Sequence, residues 1–246
     1  MREICTSGST RGQRPRSLAY STDAGFVQFR DFRFISWVFS MTDHTTKIER
    51  FSLRERLIHW IVALTFLYAA LTGLALWSPR LYWLASVFGG GVTVRAWHPL
   101  GGLIFIAVFV AMFTAWRRQM RLDSDDRRWL RLAHRYAAHD YSALPEAGRF
   151  NGGQKSLFWL QALNGLLLLA SGIVLWWPES MSRPLREAAI LIHPLAGILA
   201  IGGLFIHIYM GTAATPGAFR GMTQGWVKPG WAASHHAKWY REIRRP

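Results

Sequence analysis

The chain has a single cysteine, Cys5, and little acid: 14 Asp and Glu stand against 29 Lys and Arg in 246 residues. One thiol cannot form a disulfide framework, attach haem through a CxxCH motif or hold an iron–sulfur cluster, so any such cluster belongs to a partner. Acid is scarcest where it would matter most. Four long apolar runs, 57–77, 97–116, 157–177 and 189–213, contain no Asp, Glu, Lys or Arg. A proton relay through them would have no carboxylate to share the proton. A zinc or copper site would lack the carboxylate or sulfur ligands that usually complete one.

What is present is hydrophobic residue, 51% of the chain, with 13 Trp. Each run is about 20 residues long, enough as a helix to cross a hydrocarbon layer of about 30 Å. The fold class read from this is all-α, an integral membrane four-helix bundle. Lys and Arg crowd into 45–56, 117–156 and the residues after 213, whereas the loops 78–96 and 178–188 carry only Arg80, Arg95, Arg183 and Arg186. By the positive-inside tendency both termini and the middle loop face the cytoplasm. Insertion then accounts for the pI near 11.1, and no nucleic-acid-binding module is legible.

The first 40 residues mix charge, Ser and aromatics without a sustained apolar core, a poor signal peptide. FISWVFSM (34–41) is too short to span a membrane. Residues 1–44 are expected to be an N-terminal arm, disordered or preceding a natural start at Met41. Residues 45–220 form the four-helix membrane domain, and 221–246 a basic, aromatic cytoplasmic tail.

The membrane part repeats itself. RLIHWIVAL (56–64) with GLALWSP (73–79) matches KSLFWLQAL (155–163) with GIVLWWP (172–178), and HPLGG (98–102) matches HPLAG (193–197). The match breaks at His59, where the second hairpin has Phe158. Among nine histidines, His59, His98, His193 and His207 fall inside the runs. Entry direction places His98 and His193 near the outer face and His59 near the cytoplasmic face. His207 lies about 21 Å further along the helix than His193 and on the same side of it, and so is also cytoplasmic. Two pairs result, His98 with His193 and His59 with His207. Facing imidazoles across a helix bundle are what a six-coordinate haem iron requires. Gly102, Gly197 and Gly211 follow three of these histidines by one turn, where a small residue lets a flat ring approach; His59 has Ala63 there. The competing reading of each histidine alone is a hydrogen-bonded packing residue.

These residues resemble the membrane cytochrome b (gamma) subunit of respiratory formate dehydrogenase. The likeness runs over roughly 48–243 and rests on RLIHW (56–60), RAWHPLGG (95–102), FNGGQK (150–155), ILIHPLAG (190–197), FIHIYMG (205–211) and the tail GMTQGWVKPGWAASHHAKWYREI (221–243). Apolar helices with histidine are shared by other quinone-linked cytochromes b, including those of nickel–iron hydrogenases; FNGGQK and the tail are more specific. The resemblance implies two stacked haems b with axial ligands His59, His98, His193 and His207, in the bacterial cytoplasmic (inner) membrane. It implies an iron–sulfur subunit and a molybdenum or tungsten pterin subunit that oxidises formate outside, and it admits a higher-order oligomer of the complex. Quinone would be reduced at the cytoplasmic side beside Asn151, Gly153, Gln154 and His207. Electron flow between the haems would then separate charge, storing roughly 2.3 kcal/mol per charge per 100 mV without a pumping residue.

From the residues themselves, FNGGQK reads either as a polar helix start or as a ligand site. Asn151 and Gln154 offer amides, the glycines allow close approach, and Lys155 adds to the positive field of the helix N-terminus. Arg54, Arg56 and Arg95 are candidates for haem propionates or lipid headgroups. His44, His134 and His139 read as solvated, and His235 with His236 as an interfacial anchor or subunit contact. Two other functions stay open: a cytochrome b serving a hydrogen or thiosulfate-type couple, and a membrane metal-binding or transport protein using the histidines directly.

Overall fold

The structure, a computed structural model, describes residues 47–137, 140 and 144–245. The chain divides into two units, Met1–His44 and Thr45–Pro246. The expectations for residues 1–44 and His139 lie outside the described residues.

Among the described residues, four helices are long and apolar enough to cross a membrane: α1 (Leu53–Trp77), α2 (Gly91–Trp116), α4 (Gly152–Trp176) and α5 (Arg183–Thr212). The short α3 (Ser124–Arg131) lies between α2 and α4. Beyond α5 come α6 (Ala218–Gln224), α7 (Pro229–His235) and α8 (Ala237–Arg244). Each long helix begins before its apolar run, and on α1 and α4 a capped polar turn supplies the extra residues. Ser52 and Glu55 form a reciprocal capping box on α1, and Asn151 and Gln154 form one on α4. Both satisfy N–H groups that a helix start leaves without partners. Pro184 lies in the first turn of α5, where its missing N–H costs nothing.

The helices pack as two antiparallel hairpins, α1 with α2 and α4 with α5, joined more sparsely to each other. Leu64, Ile104, Leu166, Leu191 and Phe205 are exposed on the outside of the bundle, as a lipid-facing surface requires. At one end, Phe105 and Phe109 pack with Val62, and beyond them Trp116, Met120, Phe150 and Phe158 form a second aromatic cluster. At the far end, Ala75, Ala85 and Val94 close the α1–α2 loop.

The tail folds back on the start of the first hairpin. Strands β1 (Ile48–Glu49) and β2 (Trp226–Val227) pair antiparallel, with Ile48 opposite Val227. Arg56 donates to the carbonyls of Met222 and Thr223, and Trp60 Nε1 donates to Met222 O at 3.2 Å. The last carbonyls of α6 are thereby satisfied by a cation, as its dipole favours. Arg50, only 3% exposed, donates to Arg149 O and lies over the Trp239 ring at 4.5 Å. Burial, with Arg149 nearby, pulls its pKa down to about 9, so it stays cationic at neutral pH. His236 is 2% exposed. Its Nδ1 donates to Gly148 O at 2.7 Å, leaving Nε2 to accept from Arg50 at 3.3 Å. His236 is therefore a buried clasp between the tail and the segment before α4, where the sequence suggests an interfacial anchor or a subunit contact. His235 stacks on Trp231 with ring centres 5.0 Å apart.

Candidate functional site

The histidines inside the apolar runs meet in pairs across the gap between the hairpins. His98 and His193 have ring centres 6.3 Å apart with planes at 84°, and His59 and His207 are 5.8 Å apart at 45°. No hydrogen bond links the rings of either pair. Rings at this spacing can both reach one metal ion placed between them. The fourth position by symmetry, Phe158, is a core aromatic stacked on Phe113, with centres 5.4 Å apart and planes at 6°.

The far-end pair walls a cavity of about 620 Å³, lined among others by Arg95, Gly73, Gly102, Gly172 and Gly197. Within each HPLxG segment the two small residues have separate tasks. A Cβ on Gly101 would sit 2.3 Å from the Tyr68 ring, so Gly101 lets α1 and α2 close on each other. In the second hairpin Ala196 is tolerated at that place and is buried. One residue on, a Cβ on Gly102 would meet nothing, and one on Gly197 only Leu168 at 3.9 Å. These two glycines leave room in the cavity instead of within a hairpin. Gly211, a turn beyond His207, likewise faces open space.

Hydroxyls that the sequence reading missed hold the far-end rings. Thr72 Oγ1 donates to Tyr68 O at 2.7 Å and lies 2.9 Å from His98 Nδ1. Ser171 Oγ donates to Leu167 O at 2.5 Å and lies 2.9 Å from His193 Nδ1. With its proton on the carbonyl, each hydroxyl oxygen accepts from the ring, which assigns the hydrogen to Nδ1 and leaves Nε2 with a free lone pair. The His59 Nδ1, by contrast, is buried without a hydrogen-bond partner. The signal for Thr72 and Ser171 was present as TGLALW against SGIVLW, but one hydroxyl in an apolar helix is too common to single out.

FNGGQK forms the capped start of α4. The side-chain oxygens of Asn151 and Gln154 are used in the capping box, which leaves their NH₂ groups as donors. A Cβ on Gly153 would lie 2.8 Å from Trp129, and one on Gly152 3.0 Å from Asp126 O, so both glycines admit α3 across the start of α4. Lys155 is 8% exposed and pairs with Asp126 at 2.5 Å. It is neutralised there, in contrast to the free positive field expected of it. Gly203 faces both Gln161 and Leu157 across the antiparallel pair, so the start of α4 and His207 lie at the same end of the bundle.

Arg95 is exposed and borders the far-end cavity, Arg54 is exposed, and Arg56 is taken up by the tail carbonyls. His134 is exposed. Among the described residues, no three of His, Cys, Asp or Glu converge as a metal cage would need.

Paired histidines across a bundle of membrane-length helices, one pair walling a glycine-lined cavity, define a membrane cytochrome of the b type. The chain belongs to the prokaryotic cytochrome b561 family, whose model matches residues 50–225. It is 33% identical over 201 residues to the formate dehydrogenase cytochrome b556(fdo) subunit of Escherichia coli K12, covering 80% of this chain and 94% of that one. It is 32% identical to the formate dehydrogenase cytochrome b556 subunit of Haemophilus influenzae, covering 80% and 84%. The nitrate-inducible cytochrome b556(Fdn) subunit of Escherichia coli K12 is 31% identical, with 80% and 92% covered. Membership implies haem b, and the residues present fit it. The cavity is of cofactor size, the cradle glycines have room at Cβ, and with Nδ1 taken up by a hydroxyl each far-end ring keeps an unprotonated Nε2.

Proposed function

We propose that the chain is the di-haem b membrane subunit of a formate dehydrogenase complex, passing electrons from an iron–sulfur partner subunit to quinone. The observation that carries this is the meeting of four histidines as two pairs at two depths. It is supported by relatives that are cytochrome subunits of formate dehydrogenase. His98 and His193 would hold one haem and His59 and His207 the other, with Gly102, Gly197 and Gly211 giving clearance. Two bound haems b supply one-electron carriers at opposite depths of the bundle.

The chain's own residues do the rest. Nδ1 hydrogen bonds orient the far-end rings, and Arg95, which lines the cavity, would supply a counter-charge to a propionate. At the tail end, the NH₂ groups of Asn151 and Gln154, with the N-terminus of α4, present donors to a quinone oxygen at the same end of the bundle as His207. With the tail end in the cytoplasm of a bacterial inner membrane, as the Lys and Arg distribution favours, reduction takes protons from inside. The molybdenum or tungsten pterin subunit oxidises formate on the opposite side.

Purification of the intact complex from its source, with formate-dependent quinone reduction assayed, tests the reading. Co-purification of a pterin-containing subunit and formate activity are expected. A nickel–iron partner, or a thiosulfate-type donor without formate activity, would contradict it.

A further inference from the structure

The two histidine pairs differ in what touches their second nitrogen. At the far end both rings have a hydroxyl 2.9 Å from Nδ1, Thr72 for His98 and Ser171 for His193, where the Leu168 carbonyl is a second acceptor. The arrangement is repeated in the two hairpins down to the next residue. A Cβ on Gly73 would lie 3.2 Å from His98 Cε1, and one on Gly172 3.2 Å from His193 Cε1. Each ring therefore lies against a glycine with its edge held by the preceding hydroxyl. Both hydroxyls spend their proton on a carbonyl of their own helix, which polarises the oxygen as an acceptor. The tail-end pair has no such partner at His59, whose Nδ1 is buried alone.

We propose that Thr72 and Ser171 are positioning residues that fix the tautomer and ring planes of His98 and His193 and thereby hold the far-end haem at a lower potential than the same ligands would without them. The inference rests on reading His98 and His193 as axial ligands. An acceptor on Nδ1–H makes the imidazole a stronger donor to the metal, which favours the ferric over the ferrous ion. Absence of that acceptor at His59 makes the two sites unequal, in the sense that drives an electron from the far end toward the tail end. The planes of the far-end pair cross at 84°, against 45° for the other. Near-perpendicular ligand planes leave two iron d orbitals almost degenerate and raise the largest g value, so the far-end site has its own spectroscopic mark.

The test compares Thr72→Val with Ser171→Ala, which removes both hydroxyls, against Thr72→Ser with Ser171→Thr, which keeps them, in the purified complex. Potentiometric titration and low-temperature electron paramagnetic resonance are read on each. In the hydroxyl-free protein one midpoint potential is expected to rise and the signal with the larger g to shift, the other haem being unchanged. The hydroxyl-retaining protein matches the unsubstituted one. Loss of a single haem from the first but not the second also supports the role. Native potentials and signals in the hydroxyl-free protein overturn the inference, as does equal disturbance or haem loss in both variants, which would mark a packing role. Failure of the underlying reading looks different: the unsubstituted protein itself would then lack a haem with two histidine ligands at this level.

Discussion

His59 and His207, one from the first long helix and one from the last, meet with ring centres 5.8 Å apart at the tail end of the bundle. Nothing in the second hairpin competes for this place, because Phe158 stands at the position equivalent to His59 and is stacked on Phe113. On the proposed reading, the two depths are served by separate ligands. His207→Ala is expected to remove one of two haems and leave the far-end one with its native potential. Haem per chain measured by the pyridine haemochrome method, with a redox titration, checks it; loss of both in a folded protein contradicts the pairing.

Gly102 faces open space, whereas Gly101 is wedged against Tyr68. Gly102→Leu fills only the cavity and is expected to leave the helix content of the chain unchanged while the far-end haem falls below stoichiometry. Gly101→Leu instead drives α1 and α2 apart, a small-to-large change costing about 1–3 kcal/mol or more. Circular dichroism and haem content, measured on both variants, separate the two effects.

Lys155 and Asp126 form a buried pair that locks α3 over the start of α4. Removing one partner leaves the other charge buried, at a cost of about 3–5 kcal/mol. Asp126→Asn should lower the thermal midpoint of the detergent-solubilised complex. Asp126→Leu with Lys155→Met should recover most of it, since a well-packed apolar pair is often neutral or better. A midpoint unchanged by Asp126→Asn would mean that the pair does not hold α3.

The tail clasp carries a pH dependence. Burial and the Arg50 charge push His236 down from 6.5 to about 3, so the folded ring resists a proton that the undocked ring accepts. Docking is then fully stable above about pH 6.5 and weakens as pH falls toward 3, by up to about 1.4 kcal/mol for each pH unit. Hydrogen exchange over Trp226–Arg244, corrected for intrinsic rate, should show protection at about pH 7.5 that is lost first near pH 5. His236→Phe should flatten this dependence.

Much of this architecture is legible in the order of residues. Long runs without charge mark the helices, and the entry direction of each run sorts the four histidines by depth. The glycine one turn after His98 is visible as a spacing. What escaped reading depends on contacts between segments far apart in the chain. Lys155 looks like a free cation until α3 brings Asp126 to it, and nothing in the spacing of Gly153 shows that Trp129 packs across it. Asn151 and Gln154 spell a capping box, N-x-x-Q, whose local use of the side-chain oxygens competes with a ligand role. His236 gives no sign of burial, since its partners Gly148 and Arg50 come from segments well before it in the chain. Thr72 and Ser171 become significant only as a matched pair against matched histidines.

The count and ligation of haem in the purified chain test the central claim most directly. Quantified haem b, with a reduced-minus-oxidised spectrum and a potentiometric titration, should give two six-coordinate low-spin haems per chain titrating as two components. One haem, none, or a five-coordinate high-spin haem in a correctly folded chain would contradict the account.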